Sequence, residues 1–184
     1  YEIAQCLVGS EMCIRDRRLT TMRERKKRAW RAGLGLIPSE PVLLNGYTVL
    51  EGLVLTAQLL GKSAADAKRN ALESASLCGL DPYLNARAES LSVGVKKRVV
   101  IARSLVNEPK VLLLDEPFSA LDYQTRLAVS ADIYRIIRQE GKTALLVTHD
   151  ISEAISLSDR VVVLSHRPAV VKLSLIHISE PTRH

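Results

Sequence analysis

The chain has 184 residues and a formal net charge of +6, with 47% hydrophobic, 25% charged and 4% aromatic residues. This balance is typical of one globular domain with an aliphatic core, and it excludes a disordered or low-complexity chain. The longest apolar stretch, 48–60, is interrupted by Glu51 and is too short to span a bilayer. No basic segment followed by an apolar run marks a targeting signal, so we expect a cytoplasmic location.

The two ends of the chain can be encoded by complementary DNA. One choice of codons for residues 7–16 (LVGSEMCIRD), read as its reverse complement in a shifted frame, translates as residues 174–182 (SLIHISEPT). Two unrelated protein ends have no reason to share this relation, and the pair resembles translated sequencing-library adapter. We therefore expect residues 1–17 and 173–184 to be artefacts, and we assign residues 18–172 to one partial domain.

Setting the ends aside changes which residues are available for chemistry. Cys6 and Cys13 lie in the excluded N-terminal segment, so Cys78 is the one cysteine that remains. A single cysteine argues against a disulfide framework or a cysteine metal site. The basic run 17–31 raises a nucleic-acid hypothesis. Because Trp30 is the one aromatic residue in this run, we favour a solvated surface segment and expect no nucleic-acid partner.

At the C-terminal end, a genuine strand at 173–178 is the alternative to an artefact. Between the two ends, helix and strand patterns alternate. Strands alternating with helices predict an α/β fold with a parallel sheet. Residues 48–90 are expected to form a small helical subdomain. In chain order, apolar spacing and turn residues predict a strand at 33–37, helices at 49–60, 64–78 and 92–106, a strand at 111–114, a helix with the buried stripe Leu127, Ile133, Ile136 and Ile137, a strand at 144–147, a helix at 151–157 and a strand at 161–164.

Two acidic residues follow the aliphatic strand 111–114, which we expect to be covered on both faces. Asp115 and Glu116 stand where this strand ends, and open parallel sheets bind ligands at that edge. One carboxylate there can hold Mg²⁺, and the next can orient an attacking water. A solvated acidic turn is the alternative interpretation.

A histidine follows the next predicted strand, 144–147. Because neighbouring parallel strands end at the same edge, we expect His149 to lie beside Glu116. There it can donate to a γ-phosphate and hold the attacking water in line. A structural role is the alternative for a lone histidine, and the spacing from the acidic pair favours function.

A further candidate site opens the helix at 92–106. Ser92 is suited to cap this helix, and Gly94 permits close approach of a ligand to the backbone. A helix N-terminus attracts phosphate through its dipole and its free N–H groups. An ordinary capped helix is the alternative.

Taken together, these motifs resemble the ABC ATPase family over essentially all of residues 31–170. The motifs come in the family's order and at fitting spacing. Residues 91–98 (LSVGVKKR) look like the signature sequence, 112–116 (LLLDE) like the Walker B strand, 119–122 (SALD) like the D-loop, 148–150 (THD) like the histidine switch, and 35–41 fall where the Q-loop would be.

The resemblance implies roles for the motif residues around bound ATP and Mg²⁺. Asp115 would help to hold Mg²⁺, Glu116 would act as the general base, and His149 would support the γ-phosphate. Ser92 and Gly94 would reach the nucleotide across a head-to-tail dimer of two such domains. The implied fold is a P-loop NTPase-type sheet with a helical subdomain.

The remaining motif positions are of two kinds: one has an implied coupling role, and three depart from the family pattern. Asp122 would couple the sites of the dimer. Ser39 stands at the Q-loop glutamine position, and its short hydroxyl reaches less far towards Mg²⁺. Val93 and Val95 replace the usual glycine and glutamine of the signature. These departures keep open a regulatory or binding module with little ATPase activity.

The resemblance also implies the ATP-hydrolysing subunit of a bacterial ABC transporter at the cytoplasmic face of the inner membrane. The implied partners are permease subunits, which would dock on the helices of 49–78, a second ABC domain and a substrate-binding protein. Residues 123–168 look most like importers of the nitrate, sulfonate and taurine group, whereas 45–51 are similar to the lipoprotein-release and macrolide-export group. A non-transport ABC ATPase is a further alternative. It would carry long coiled-coil insertions or tandem cassettes, and neither fits this sequence.

The sequence contains no phosphate-binding loop of the form Gly-x-x-x-x-Gly-Lys-Ser/Thr. Residues 61–63 (GKS) and 141–143 (GKT) lack the leading glycine, because Thr56 and Ile136 stand at that position. Their predicted contexts, helix to helix and helix to strand, are also wrong for such a loop. We expect the loop to lie upstream of this fragment, and the fragment alone to be inactive.

Overall fold

A computed structural model describes residues 13–14, 17–18, 23–31, 33–119, 121–166 and 169–176. The chain divides into two compact units, one of residues 32–149 and one that combines residues 1–31 with 150–184. Within the described residues, no helix combines the length and the apolar character needed to cross a membrane.

Six helices and seven strands are described, together with 3-10 turns at Asp81–Tyr83 and Ala88–Ser90. In chain order they are β1 (Cys13–Ile14), β2 (Arg17–Arg18), α1 (Glu24–Arg31), β3 (Leu34–Ile37), α2 (Val49–Leu59), α3 (Ala64–Leu77), α4 (Val93–Leu105), β4 (Val111–Asp115), α5 (Tyr123–Gln139), β5 (Thr143–Val147), α6 (Ile151–Leu157), β6 (Arg160–Leu164) and β7 (Val171–Ile176).

A three-stranded parallel sheet in the order β3–β4–β5 crosses the unit 32–149. Ile37 pairs with Leu114, and Leu114 pairs with Leu146. All three strands therefore end at one edge of the sheet, where the sequence analysis places its acidic pair and its histidine. The sheet and its helices confirm the predicted α/β class.

Side-chain caps fix where the helices of this unit begin. Thr48 and Glu51 form a capping box, in which each side chain accepts a hydrogen bond from the other residue's backbone N–H, at 3.2 and 2.8 Å. Ser63, Ser92 and Asp122 each accept a backbone N–H from three residues further on. These caps explain why the predicted helix starts agree with the structure to within a residue.

Small and aliphatic side chains form the core of the helical layer. Ala67, Ala71 and Ala75 of α3 are fully buried, as are Val100 and Ala102 of α4. Alanines at a spacing of four residues lie on one face of a helix, so α3 can approach α4 closely. The helices α2 and α3, within the predicted subdomain 48–90, therefore pack together with α4, which lies outside those bounds.

Two expectations about burial need correction. Leu127 was predicted to belong to the buried stripe of α5, yet it is 52% exposed. The buried residues of α5 are Val129, Ile133 and Ile136, which follow helical spacing, and Leu127 falls off that face. The strand β4, expected to be covered on both faces, buries Leu112 and Leu114 while its alternate residues are half-buried.

In the unit that contains the chain ends, β6 pairs antiparallel with β7, and the register shifts between Val163 and Leu164. Leu173–Ile176, which we set aside as artefact, thus take part in a strand, as in the alternative interpretation. Every residue of β7 is exposed. The origin of both ends stays a prediction, and residues 177–184 lie outside the described residues.

Candidate active site at the sheet edge

The first residue beyond β4, Glu116, has an unusual backbone conformation. Its φ is +46°, in the left-handed region that residues other than glycine rarely adopt. The conformation is held from both sides, since the Glu116 N–H donates to the Val147 carbonyl at 2.9 Å and the Glu116 carbonyl accepts from the Ser119 N–H at 3.1 Å. Such strain costs about 1–3 kcal/mol and clusters at functional sites.

His149 contacts this carboxylate through two hydrogen bonds. Its backbone N–H donates to Oε1 of Glu116 at 2.9 Å, and its ring Nδ1 lies 2.7 Å from the same oxygen. Because a carboxylate only accepts hydrogen bonds, we assign a proton to Nδ1. The predicted juxtaposition of these two residues is therefore present in the structure.

The two side chains of this pair differ in their exposure to solvent. The Glu116 side chain is 26% exposed, whereas the imidazole of His149 is 85% exposed. Oε2 of Glu116 makes none of the bonds to His149. The imidazole of His149 therefore has most of its surface in contact with solvent.

Two other predicted residues lie at the same edge by strand register. Asp115 is the exposed last residue of β4 and pairs with Val147. Ser39 stands two residues beyond Ile37, the last residue of β3. Its carbonyl accepts from the Lys97 ammonium and, at 3.5 Å, from the Ser119 hydroxyl. The loop after β3 is thus joined to α4 and to the turn after β4.

Ser92 and Gly94 lie at a second location, the start of α4. The Ser92 hydroxyl accepts from the Val95 N–H at 3.4 Å, so it serves as the helix cap. A Cβ added at Gly94 would come within 2.7 Å of the Thr125 methyl carbon Cγ2 on α5. The glycine therefore has a packing role, because it lets the starts of α4 and α5 approach each other.

Asp122 caps α5 beside that contact. Its Oδ1 accepts from the Thr125 N–H at 3.0 Å. Hydrogen bonds from the Thr125 side chain and backbone hold the pKa of the Asp122 carboxyl below its usual range. Asp122 is thus kept as a carboxylate by the same residue that packs on Gly94. Ala120, between this cap and Ser119, lies outside the described residues.

The two segments that imitate a phosphate-binding loop have ordinary structural roles. Gly61, at φ +92°, ends the turn after α2, and Ser63 caps α3. Gly141, at φ +57°, follows the end of α5 and leads into β5. Their helix-to-helix and helix-to-strand contexts are confirmed.

Two residues around the site were not predicted from the sequence. Lys97 was read only as part of the segment 91–98, yet it is 1% exposed and contacts the loop after β3. Thr125 was not considered, although it connects Asp122 with Gly94. A lysine in the interior of an otherwise regular helix gives no sequence signal of burial, because long-range packing decides it.

Comparison with known proteins bears on the whole arrangement. A profile of the family described as ABC transporter matches residues 3–119. An uncharacterised ABC transporter ATP-binding protein of Methanocaldococcus jannaschii is 38% identical over 141 residues, which make up 77% of this chain and 53% of that protein. The aliphatic sulfonates import ATP-binding protein SsuB 1 of Xanthomonas axonopodis pv. citri is 39% identical over 139 residues, 75% of this chain and 55% of the relative.

The fold is also that of a solved cassette. A dimeric structure of the post-hydrolysis state of an ATP-binding cassette bound to ADP and Pi superimposes with a TM-score of 0.69 at 27% identity, covering 84% of this chain and 68% of that one. The α/β sheet with its helices is therefore of the P-loop NTPase type. The chain spans about half the length of the two curated relatives named above.

Proposed function

This chain belongs to the ABC transporter family, and on that premise we propose that it is part of the ATP-hydrolysing subunit of a bacterial transporter. The observation that carries the proposal is the bonding of Glu116 to His149 at the carboxyl edge of the sheet. A carboxylate and an imidazole joined at a sheet edge can orient water and stabilise charge on a phosphoryl group. The peripheral location at the cytoplasmic face follows from the same premise.

In the proposed mechanism, Glu116 is the general base. Its Oε1 is engaged by His149, and Oε2 accepts a proton from the attacking water. The bonds on both sides of the strained Glu116 backbone hold the carboxylate in place, so little reorganisation accompanies the reaction. His149, oriented through Nδ1, presents Nε2 to the γ-phosphate.

The donor chemistry at the edge fits Mg²⁺. This ion prefers oxygen ligands and is commonly held by one or two carboxylates together with nucleotide phosphates and waters. The exposed carboxylate of Asp115 and the hydroxyl of Ser39 follow the paired residues Leu114 and Ile37, and both are oxygen donors. When bound, the ion neutralises charge that develops on the phosphates. Asp115 is the proposed ligand.

The second location supplies the other half of the proposed site. Ser92 and Gly94 stand at the N-terminus of a helix of 13 residues, where backbone N–H groups and the helix dipole favour phosphate. We assign them to the nucleotide of a second ABC domain, with Asp122 linking the two sites. The dimeric state of the ADP-bound cassette supports this assignment.

A groove in the helical layer supports permease subunits as partners. It is small, and its lining includes Leu43, Leu44, Val49, Leu53 and Arg103. Beside it, Val42 is 67% and Leu44 is 46% exposed. Exposed apolar side chains that lie together favour a protein docking surface. The importer named among the relatives favours import. A substrate-binding protein is a further proposed partner.

The test is the substitution Glu116→Gln in the full-length protein. The amide oxygen can still accept from His149, so the fold and ATP binding should persist. Removal of the base should lower steady-state ATP hydrolysis by at least about a hundredfold. Glu73→Gln on the exposed face of α3 is the matched control and should hydrolyse ATP like the parent protein.

A regulatory module is the second candidate, favoured by Val93 and Val95 at the start of α4. Val93 is 51% exposed where a glycine would leave the helix end open. Single-turnover hydrolysis by the full-length parent protein separates the candidates. A turnover within the usual enzyme range supports the ATPase, whereas ATP binding without turnover favours the regulatory module and removes the general-base role of Glu116.

A further inference from the structure

A buried lysine joins the helix α4 to the loop after β3. Lys97 is 1% exposed, and its ammonium donates to the carbonyl of Ser39. Burying a charged amine is costly unless its donors are satisfied, so a lysine in this position needs a structural or functional reason. Burial lowers the pKa of the Lys97 ammonium, and the nearby carboxylate of Glu40 opposes that shift.

The loop has its own need for outside donors. Pro38 and Pro41 carry no N–H group, so the chain cannot continue the ladder of β3 beyond Ile37 in the usual way. Val42 donates to Glu40 at 3.0 Å in a tight turn. The carbonyls in such a turn require partners from other elements.

The helix α4 meets that need at two points. Lys97 reaches the Ser39 carbonyl, and Nη1 of Arg103 donates to the Val42 carbonyl at 2.7 Å. Both donors are cationic, and hydrogen bonds from charged donors are the stronger kind. The first part of the loop is therefore bonded to one helix at two points, Ser39 and Val42.

Lys97 lies one helical turn after the start of α4, so its bond connects the loop of Ser39 with that start. It stands three residues after Gly94 and four after Val93, so these positions share one face of the helix. The Ser119 hydroxyl donates its one proton mainly to the Glu116 carbonyl at 2.8 Å, and it lies 3.5 Å from the Ser39 carbonyl. The bond from Lys97 to the Ser39 carbonyl is therefore the direct link between α4 and the loop that carries Ser39.

We propose that Lys97 is a positioning residue, which ties the loop of Ser39 to the start of α4 so that the metal side of the site follows the phosphate-binding helix. This role rests on the proposed function. It assigns to Lys97 a coupling between two parts of one subunit, in addition to any contact across a dimer.

The experiment uses the full-length protein with Lys97→Met, which keeps the apolar stem and removes the donor. Lys97→Gln restores an N–H donor, and Lys110→Met, at an exposed lysine, is the matched control. Hydrogen exchange without nucleotide should speed up roughly tenfold at the amides of 39–44 in Lys97→Met. Lys97→Gln and Lys110→Met should keep the parent rates, because the Ser39 carbonyl retains its donor.

The second readout is the Mg²⁺ concentration that gives half-maximal ATP hydrolysis. It should rise by about tenfold in Lys97→Met, as for loss of a group that orients a metal ligand, and stay near the parent value in Lys97→Gln. Unchanged exchange in Lys97→Met, or equal losses in Lys97→Met and Lys97→Gln, would overturn the proposal. Absence of hydrolysis in the parent protein would instead remove the proposed function, while the exchange rates still decide whether Lys97 holds the loop.

Discussion

The helical layer and the outer strand of the sheet differ sharply in how well they are covered. In α2 and α3, Leu53 is 1% exposed and Ala71 is fully buried. In β5, an equally aliphatic segment, Leu145 is 41% and Val147 is 54% exposed. Aliphatic strands of parallel sheets are usually covered on both faces. The described unit therefore has one complete core and one open face.

This difference places the candidate chemistry at the border between the well-covered helical layer and the weakly covered strand β5. Glu116 is bonded to Val147 of β5 through its backbone and to His149 beyond β5 through its side chain. The start of α4, with Gly94, belongs to the covered layer. The geometry of the site thus depends on both regions, and substitutions can test each separately.

The largest expected effect on stability is the difference between two leucine-to-alanine substitutions, one in the helical layer and one in β5. Leu53→Ala should lower the free energy of unfolding of this chain by about 2–5 kcal/mol, because it opens a cavity in a closed core. Leu145→Ala should cost less than about 1 kcal/mol, since the side chain is already partly solvated. Urea unfolding followed by circular dichroism measures both. Equal losses would show that β5 is covered as well as α2, and the comparison would fail.

A smaller effect is expected where the covered layer meets α5. Gly94→Ala should lower the free energy of unfolding by about 1–3 kcal/mol, because the new methyl group overlaps Thr125, whose branched side chain has little freedom to move. Adding Thr125→Ser removes the opposing methyl carbon and should restore most of that stability. Thr125→Ser alone serves as the control. A double variant no more stable than Gly94→Ala would mean that the glycine is needed for another reason, such as its backbone.

Local signals predicted most of the fold. Ser63, Ser92 and Asp122 are good helix caps, and the helices begin immediately after each of them. The shared edge followed from the alternation of strands and helices, so the meeting of Glu116 and His149 was predictable before any coordinates. The strand order β3–β4–β5 was not predicted. The family expected from the resemblance is shown, whereas the activity and the individual residue roles remain proposals.

Features that depend on long-range packing were not predictable. Leu127 fits the helical period loosely, and only the position of α5 against α4 decides that Val129 is buried instead. In the sequence, Lys97 is indistinguishable from a surface lysine, and its burial depends on the contact with the loop of Ser39. The left-handed backbone of Glu116 also has no signal in the sequence, because the residue is neither glycine nor asparagine.

The central claim is that Glu116 and His149 act as one unit in ATP hydrolysis. A double-mutant cycle on the turnover number of the full-length protein tests it most directly, with Glu116→Gln, His149→Ala and the double variant. Residues that act together show strongly non-additive losses. The account predicts that the double variant is no slower than Glu116→Gln alone by more than about threefold. Losses that multiply would show that the two residues act independently, and the claim would be contradicted.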